Sequence, residues 1–128
     1  MKDCTLTITT TADGRENTVT YQGKMKLESS YADLRYVEEQ SQVHIEIEGE
    51  TVRIMRRGDY TLRLTLEKGK RHAGAIGIGG AEGEVFTKTD ELTYSMKNNS
   101  LLLFLRYDLI VGDETQTMKL RLLAKQKK

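Results

Sequence analysis

Two charged residues stand where a β-strand would point them into a protein core. Glu38 shares the alternating face of Leu34 and Tyr36, and Arg56 shares that of Ile54. A charge in an apolar interior is costly unless it is paired and hydrogen-bonded. This parity therefore predicts a polar patch lining a ligand cavity, a buried Glu38–Arg56 ion pair, or strand ends where both side chains reach solvent.

The other reactive side chains form no recognisable catalytic set. By strand alternation the His44 side chain points to solvent, and His72 lies beside a loop. The separation of the two histidines along the chain does not match the ligand spacing of a metal site. Cys4 falls on an apolar strand face, which is typical of a small core residue rather than a nucleophile. Glu38 and Glu39 point to opposite faces of a strand, which is wrong for an acid–base pair. We expect no enzyme activity, no metal and no cofactor.

The segment Gly74–Gly83 is the low-complexity part of the chain. Its Gly77–Gly83 portion loosely resembles a dinucleotide-binding loop. In that motif a helix follows the loop and receives the phosphates. No helical pattern follows here, so we expect a flexible loop or a lid of the fold.

The densest basic cluster is Lys68–His72. It could bind an anion or a nucleic-acid backbone. Aromatic residues that could stack on bases are not interleaved with it, and Glu67 and Glu82 lie nearby in sequence. A solvated hairpin turn is favoured over a nucleic-acid site.

The stretch Val43–Arg71 has the clearest strand pattern. Apolar and polar residues alternate in three runs, which Gly49-Glu50 and Gly58-Asp59 separate. A side-chain period of two is typical of half-buried strands, and short glycine-containing turns join antiparallel neighbours. The stretch therefore predicts an antiparallel meander.

Further strands follow from the same alternation. They cover Cys4–Thr11, Thr18–Glu28, Leu34–Glu38, Glu84–Met96 with a break at Asp90-Glu91, Leu101–Val111 and Thr115–Ala124. The predicted connections are a polar loop over Ala12–Asn17, a loop or single helical turn over Ser29–Asp33, a hairpin turn over Lys97–Ser100, a link over Gly112–Glu114 and a frayed basic tail over Lys125–Lys128.

The pattern amounts to about nine strands without a helix or a proline. Short strands joined by hairpin-length loops favour a barrel or sandwich, and sequential hairpins favour an up-and-down barrel. Closure also removes the exposed edges that prolines often protect. We predict an all-β fold, a single antiparallel up-and-down barrel of about 8–10 strands spanning residues 1–128 as one domain.

The composition is that of a soluble globular protein, with 38% hydrophobic and 30% charged residues. A net charge of +1 provides no global attraction to nucleic acid or membrane. The sequence contains neither a signal-peptide pattern nor a membrane-spanning segment, and its single cysteine excludes an internal disulfide. We expect a cytoplasmic protein that does not contact membranes.

Several short motifs occur in a characteristic order along the chain. They are Gln22-Gly23, Tyr36–Glu39, Met55–Gly58, Leu66–His72, Phe86–Lys88 and Tyr107–Leu109. In these the chain resembles the small bacterial YwiB-like family of unknown function. The resemblance implies a calycin-type, lipocalin-like β-barrel, and it implies no established activity.

Three functions remain open on these grounds. The leading interpretation is a barrel that binds a small, partly apolar ligand in its interior. The residues predicted to contact that ligand are Tyr36, Glu38, Arg56, His72, Tyr94 and Tyr107. The alternative is a filled-core barrel whose outer surface mediates protein interaction, with nucleic acid disfavoured, because small barrels can be filled by side chains or hold one ligand. An enzyme acting through Glu38, Arg56 and Tyr107 ranks third.

The strand Leu101–Val111 is apolar on both faces. Leu102 and Phe104 have the parity opposite to that of the inward residues. Large exposed apolar side chains that cluster usually mark a contact surface. We expect this outer face to be covered, either by the Gly74–Gly83 segment folding back or by a second subunit in a homodimer.

Overall fold

Ten antiparallel strands close into one barrel in the computed structural model, which describes residues 1–127. The strands are β1 (Lys2–Ala12), β2 (Arg15–Glu28), β3 (Tyr31–Glu38), β4 (Ser41–Glu48), β5 (Thr51–Arg57), β6 (Tyr60–Glu67), β7 (Arg71–Ile78), β8 (Ala81–Lys97), β9 (Ser100–Val111) and β10 (Glu114–Gln126). Each strand pairs with its sequence neighbours, and β1 pairs with β10 to complete the circle. The predicted all-β, up-and-down barrel is confirmed, with one strand more than the nine counted in the sequence. Nowhere in the described chain is there a helix capable of crossing a membrane.

Two-residue turns set the register of the hairpins. Asn98 and Asn99 both have positive φ, 51° and 60°, between β8 and β9. Two such residues make the turn whose twist matches that of the flanking strands. The predicted hairpin turn over Lys97–Ser100 and the meander over Val43–Arg71 are confirmed.

The predicted connections over Ala12–Asn17 and Ser29–Asp33 are wrong. Asp13 and Gly14 alone form the first turn, because both adopt positive φ and let β1 and β2 pair up to the turn itself. The second turn is similarly short, with Ser30 at a φ of 61°. The polar composition of these segments suggested loops, but polar side chains on the outward face of a strand remain solvated while the ladder satisfies the backbone.

The Gly74–Gly83 segment is neither a loop nor a lid, because β7 and β8 run through it and only Gly79-Gly80 turns. A Cβ atom on Gly74 would lie 2.3 Å from the carbonyl oxygen of Arg63. Glycine in a strand permits this close approach of neighbouring backbones. The segment belongs to the barrel wall and cannot fold back over β9.

The basic tail predicted over Lys125–Lys128 is also wrong where it is described. Lys125 and Gln126 belong to β10, and the Lys127 amide donates to the Asp3 carbonyl at 2.9 Å. Lys128 lies outside the described residues.

The break predicted at Asp90-Glu91 is a β-bulge. Strand β8 continues through it, but its register against β9 shifts between Thr89 and Glu91. A bulge inserts one unpaired residue and bends the strand. It allows the 17-residue β8 to follow the curve of the barrel.

Among residues 1–127, twenty buried apolar residues occupy the barrel interior, as the alternation predicts. The largest of those with less than 2% exposure are Leu6, Met25, Leu34, Ile45, Ile47, Leu66, Leu101, Leu103, Leu105 and Leu122. Burying each such side chain contributes about 1.5–3 kcal/mol relative to exposing it. This core holds the strands in the register that positions the outward side chains.

Candidate functional site

The upper end of the barrel, which we define by the turns after Glu38 and Arg57, brings the two predicted inward charges together. Arg56 Nη1 donates to Glu38 Oε2 at 2.5 Å. The Arg56 side chain is 14% exposed and that of Glu38 is 38% exposed. The two side chains therefore form an ion pair, and they form it at strand ends where Glu38 reaches water.

Aromatic residues surround this pair. The Tyr21 hydroxyl donates to Glu38 Oε1 at 3.1 Å, and the Tyr21 and Tyr36 rings lie 4.8 Å apart. The Arg56 guanidinium lies 4.6 Å from the Tyr60 ring centroid. Burial first, and then the charge of Glu38, raises the pKa of the Tyr36 hydroxyl well above its usual value. The phenol stays protonated and neutral at physiological pH.

The remaining residues of the predicted ligand site lie elsewhere. The Tyr94 hydroxyl donates to the Gly49 carbonyl at 2.6 Å, in a turn at the opposite, lower end of the barrel. His72 Nε2 is 3.0 Å from Glu67 Oε1 beside another lower turn. Tyr107 is 5% exposed, and burial raises its pKa to about 12. The structure therefore brings Tyr36, Glu38 and Arg56 together, but not the other three.

A cleft of about 850 Å³ lies on the outside of the barrel across β2 to β7. We call it the outer cleft. Its outward side chains are those of Gln22, Lys24, Arg35, Val37, Gln42, His44, Met55, Arg57, Thr61, Arg63, Ala75 and Glu82. Residues of inward parity, such as Val43 and Leu62, also line the cleft and alternate with these along the strands.

Glycines flank the cleft on both sides. A Cβ on Gly23 in β2 would lie 2.4 Å from the Arg35 carbonyl oxygen and 2.7 Å from a Leu6 methyl carbon. Gly74 in β7 approaches the backbone of Arg63 in the same way. Strand glycines of this kind mark tight bends of a barrel. We attribute the concave outer surface between β2 and β7 to these bends.

A hydrogen-bonded ion-pair network borders the cleft. Asp33 is 7% exposed although its parity is outward. Arg35 Nε and Nη2 donate to its two carboxylate oxygens at 3.0 and 3.3 Å, and His44 Nε2 lies 2.9 Å from Oδ1. Glu46 accepts from Tyr31 at 3.2 Å and from Arg53 at 2.9 Å. The members of this network thus partly bury one another's charges on the solvent face of the sheet.

Asp33 is the most buried carboxylate of this network. Burial alone would raise its pKa, but the hydrogen bond and charge of Arg35, together with His44, outweigh burial and hold the pKa below its usual range. The group is therefore ionised at neutral pH. It anchors Arg35 at the edge of the cleft.

Asp33, His44 and Glu46 have the donor types of a transition-metal site, and their ligand atoms lie within 4.8 Å of one another. Arg35 and Arg53 already neutralise the two carboxylates. A divalent cation would have to displace or face these guanidiniums, so we interpret the set as an ion-pair network.

Sequence reasoning missed this network because it placed a loop over Ser29–Asp33. The structural register pairs Asp33 with Glu46 and Arg35 with His44 across β3 and β4. In a strand that begins at Tyr31, alternation places the side chains of Asp33 and Arg35 on the outer face, next to those of His44 and Glu46. The signal was present in the sequence, but the strand boundary concealed it.

The chemistry available in the cleft is charge-assisted binding. Six Lys and Arg residues line it against two acidic residues, Asp3 and Glu82, in a chain of net charge +1. The rest of the chain is consequently net acidic. Guanidinium and ammonium groups recognise carboxylates, sulfonates and phosphates through strong hydrogen bonds.

The crystal structure of the ywiB protein from Bacillus subtilis resembles this chain with a TM-score of 0.82 at 16% sequence identity. The likeness covers 99% of this chain and 93% of that chain, and at such identity it concerns the fold alone. Together with the family match of residues 4–122, this likeness confirms the predicted resemblance to the YwiB-like family, while the lipocalin-like relationship, the bacterial origin and the cytoplasmic location stay predictions. No curated protein matches the chain. Residues 4–122 match the family described as a domain of unknown function, DUF1934. Since that match spans nearly the whole barrel, the chain belongs to the DUF1934 family.

Proposed function

We propose that this protein binds a small, anionic and partly apolar ligand in its outer cleft. The observation that carries the proposal is the concentration of Lys and Arg around a single concave site in a nearly neutral chain. A volume of about 850 Å³ is within the range of small-molecule sites. Val37 and Met55 supply apolar surface between the cations.

The proposal keeps the small, partly apolar ligand expected from the sequence, adds a negative charge to it, and moves it from the interior to the outside. Twenty buried apolar residues pack the interior, and Tyr94 bonds across to Gly49 at the lower end. The outer cleft combines room, charge and access. Its outward lining contains no Phe, Tyr or Trp ring for stacking on bases, and the His44 ring is engaged with Asp33, which disfavours single-stranded nucleic acid.

Titration with the fluorescent sulfonate 8-anilinonaphthalene-1-sulfonate tests the proposal, because this probe combines one anionic group with apolar rings. We expect saturable binding that weakens at high salt, since exposed charges are screened. Replacing both Arg57 and Arg63 by Glu should weaken binding at least about tenfold, the equivalent of one charge-assisted hydrogen bond. Arg106→Glu on the exposed face of β9 is the matched control and should leave binding unchanged.

Equal binding by the double variant and wild type would contradict a ligand in the cleft. Urea unfolding of each variant must accompany the titration, because the probe also binds partly unfolded chains.

The outer face of β9 supports a second function, self-association. Leu102 is 46% exposed, and it pairs across the ladder with Leu123 on β10. The segment that could have covered this face, Gly74–Gly83, is part of the barrel wall. The sequence suggested two ways to cover this face, the Gly74–Gly83 segment or a second subunit. A homodimer through the Leu101–Val111 strand is the one that remains.

Analytical ultracentrifugation of wild type and Phe104→Ser tests this second function. We expect a concentration-dependent dimer for wild type and a monomer for the variant. A wild type that stays monomeric at high concentration would eliminate the dimer.

A further inference from the structure

Four of the six Lys and Arg residues that line the outer cleft have outward side chains on its strands, and they form two groups on either side of β4, which contributes no Lys or Arg. Lys24 on β2 and Arg35 on β3 form one group, and Arg57 on β5 and Arg63 on β6 form the other. We call these the first and second poles. Strand β4, which lies between them, contributes Gln42 and His44 to the cleft, and the His44 ring lies 2.9 Å from Asp33 Oδ1.

We propose that the cleft takes an elongated ligand with an anionic group at each end and an uncharged, partly apolar middle. This inference rests on the proposed function and specifies the chemistry of its ligand.

The register of the strands fixes the separation of the poles. Lys24 pairs with Arg35, Arg35 with His44, His44 with Met55, and Met55 with Arg63. These residues therefore form one row across five adjacent strands. Neighbouring strands lie about 4.8 Å apart, so Arg35 and Arg63 are separated by roughly 14 Å along the wall. A compact anion could not reach both poles.

The surface between the poles suits a ligand without charge at its centre. Val37 on β3 is 57% exposed there, which is unusual for a large apolar side chain, and Met55 on β5 is half-buried. An apolar chain lying across them would remove this surface from water, which is favourable in proportion to the area covered.

Each pole can accept an additional anion. Lys24 pairs with Asp3, and Arg63 lies 3.5 Å from Glu82, but all four side chains are more than half exposed. Exposed ion pairs are weak and exchange readily. Arg35 uses two of its five N–H groups on Asp33, which orients the guanidinium and leaves donors for a ligand. Arg57 is exposed and forms no ion pair with any of residues 1–127.

Isothermal titration with alkane dicarboxylates of increasing length, from succinate to hexadecanedioate, tests the two-pole arrangement. Affinity should rise with length and reach a maximum near dodecanedioate, whose extended length matches the separation of roughly 14 Å between Arg35 and Arg63 along the wall. The monocarboxylate of equal length should bind about tenfold more weakly, because it satisfies one pole only.

Variants at the two poles provide the decisive comparison. Lys24→Ala at the first pole, or Arg57→Ala at the second, should each reduce the advantage of the dicarboxylate over the monocarboxylate. The control Arg106→Ala, whose exposed side chain lies on β9, should preserve that advantage.

The outcomes separate this inference from the proposed function. If mono- and dicarboxylates of every length bind equally well and Arg57→Ala weakens both, the cleft binds anions but the two-pole arrangement is overturned. If no carboxylate binds and the sulfonate probe also fails, the proposed function falls together with it.

Discussion

The outward faces of two walls of the barrel are built in opposite ways. On the wall formed by β2 to β7, outward Asp33 is charged and only 7% exposed. On the wall formed by β9 and β10, outward Leu102 is apolar and 46% exposed. By strand alternation, both side chains point away from the barrel core. Alternation determines which face a side chain occupies, whereas its neighbours, such as Arg35 and His44 around Asp33, and the curvature that we infer for the wall determine how much water reaches it.

The largest expected effect tests whether strand glycines create that curvature. Gly23→Ala should lower the free energy of unfolding by about 3 kcal/mol, because the new methyl group overlaps the Arg35 carbonyl and backbones must separate. Gly83→Ala is the control, since a Cβ there has no neighbour within 4 Å. Urea unfolding measures both. Equal losses of stability in the two variants would contradict the close packing of Gly23 against β3, and with it the bend that we attribute to this glycine.

The second prediction compares a carboxylate from each wall. Asp33→Asn should lower the free energy of unfolding by about 2 kcal/mol, because it weakens charge-assisted hydrogen bonds to Arg35. Asp108 on β9 accepts from Thr117 at 2.8 Å. Since its partner is a neutral hydroxyl, Asp108→Asn should change stability by less than about 0.5 kcal/mol. Similar losses of stability in the two variants would mean that the buried position of Asp33 and its charged partner contribute nothing to the stability of the fold.

The same variant has a defined pH dependence. The folded pKa of Asp33 lies below the ordinary value of 3.8, so its ionised form stabilises the fold fully above that pH. The contribution is lost as the pH falls through the folded pKa. The stability difference between wild type and Asp33→Asn should therefore be constant near neutral pH and shrink in strong acid. A difference that persists unchanged would exclude the charge as its cause.

The smallest effect concerns the ion pair on the inner side of the cleft wall. A double-mutant cycle with Glu38→Gln and Arg56→Met should give a coupling energy of about 1 kcal/mol. A fully buried pair would lose 3–5 kcal/mol or so when one partner is removed, but water reaches Glu38 and screens the interaction. Zero coupling, measured by urea unfolding, would show that the pair contributes nothing beyond its separate contacts.

The sequence predicted the barrel well because its strongest signals are local. Alternation identified the inward residues of the Val43–Arg71 meander, and Asn98-Asn99 specified a tight hairpin. It also identified Glu38 and Arg56 as the inward charges. These inferences need only the period of a strand and the chemistry of a turn.

The outer cleft could not be predicted in the same way. It depends on the shape of a wall, which arises from backbone contacts such as that between Gly23 and Arg35. Glycine signals either a loop or a close approach, and the sequence at Gly74–Gly83 alone did not distinguish them. His44 was placed correctly on the outer face, but its proximity to Asp33 depends on a strand that begins earlier than its polar residues suggested.

The seam between β1 and β10 has a consequence for the order of folding. Nine of the ten ladders join strands that are neighbours in sequence, whereas the seam joins residues such as Leu6 and Ala124 from opposite ends of the chain. Local hairpins form quickly, and contacts of large sequence separation must first overcome the entropy of closing a long loop. The seam should therefore form after the rate-limiting barrier. Leu122→Ala should mainly accelerate unfolding, and Ile45→Ala within the meander should slow refolding, a contrast that the two arms of a chevron plot resolve.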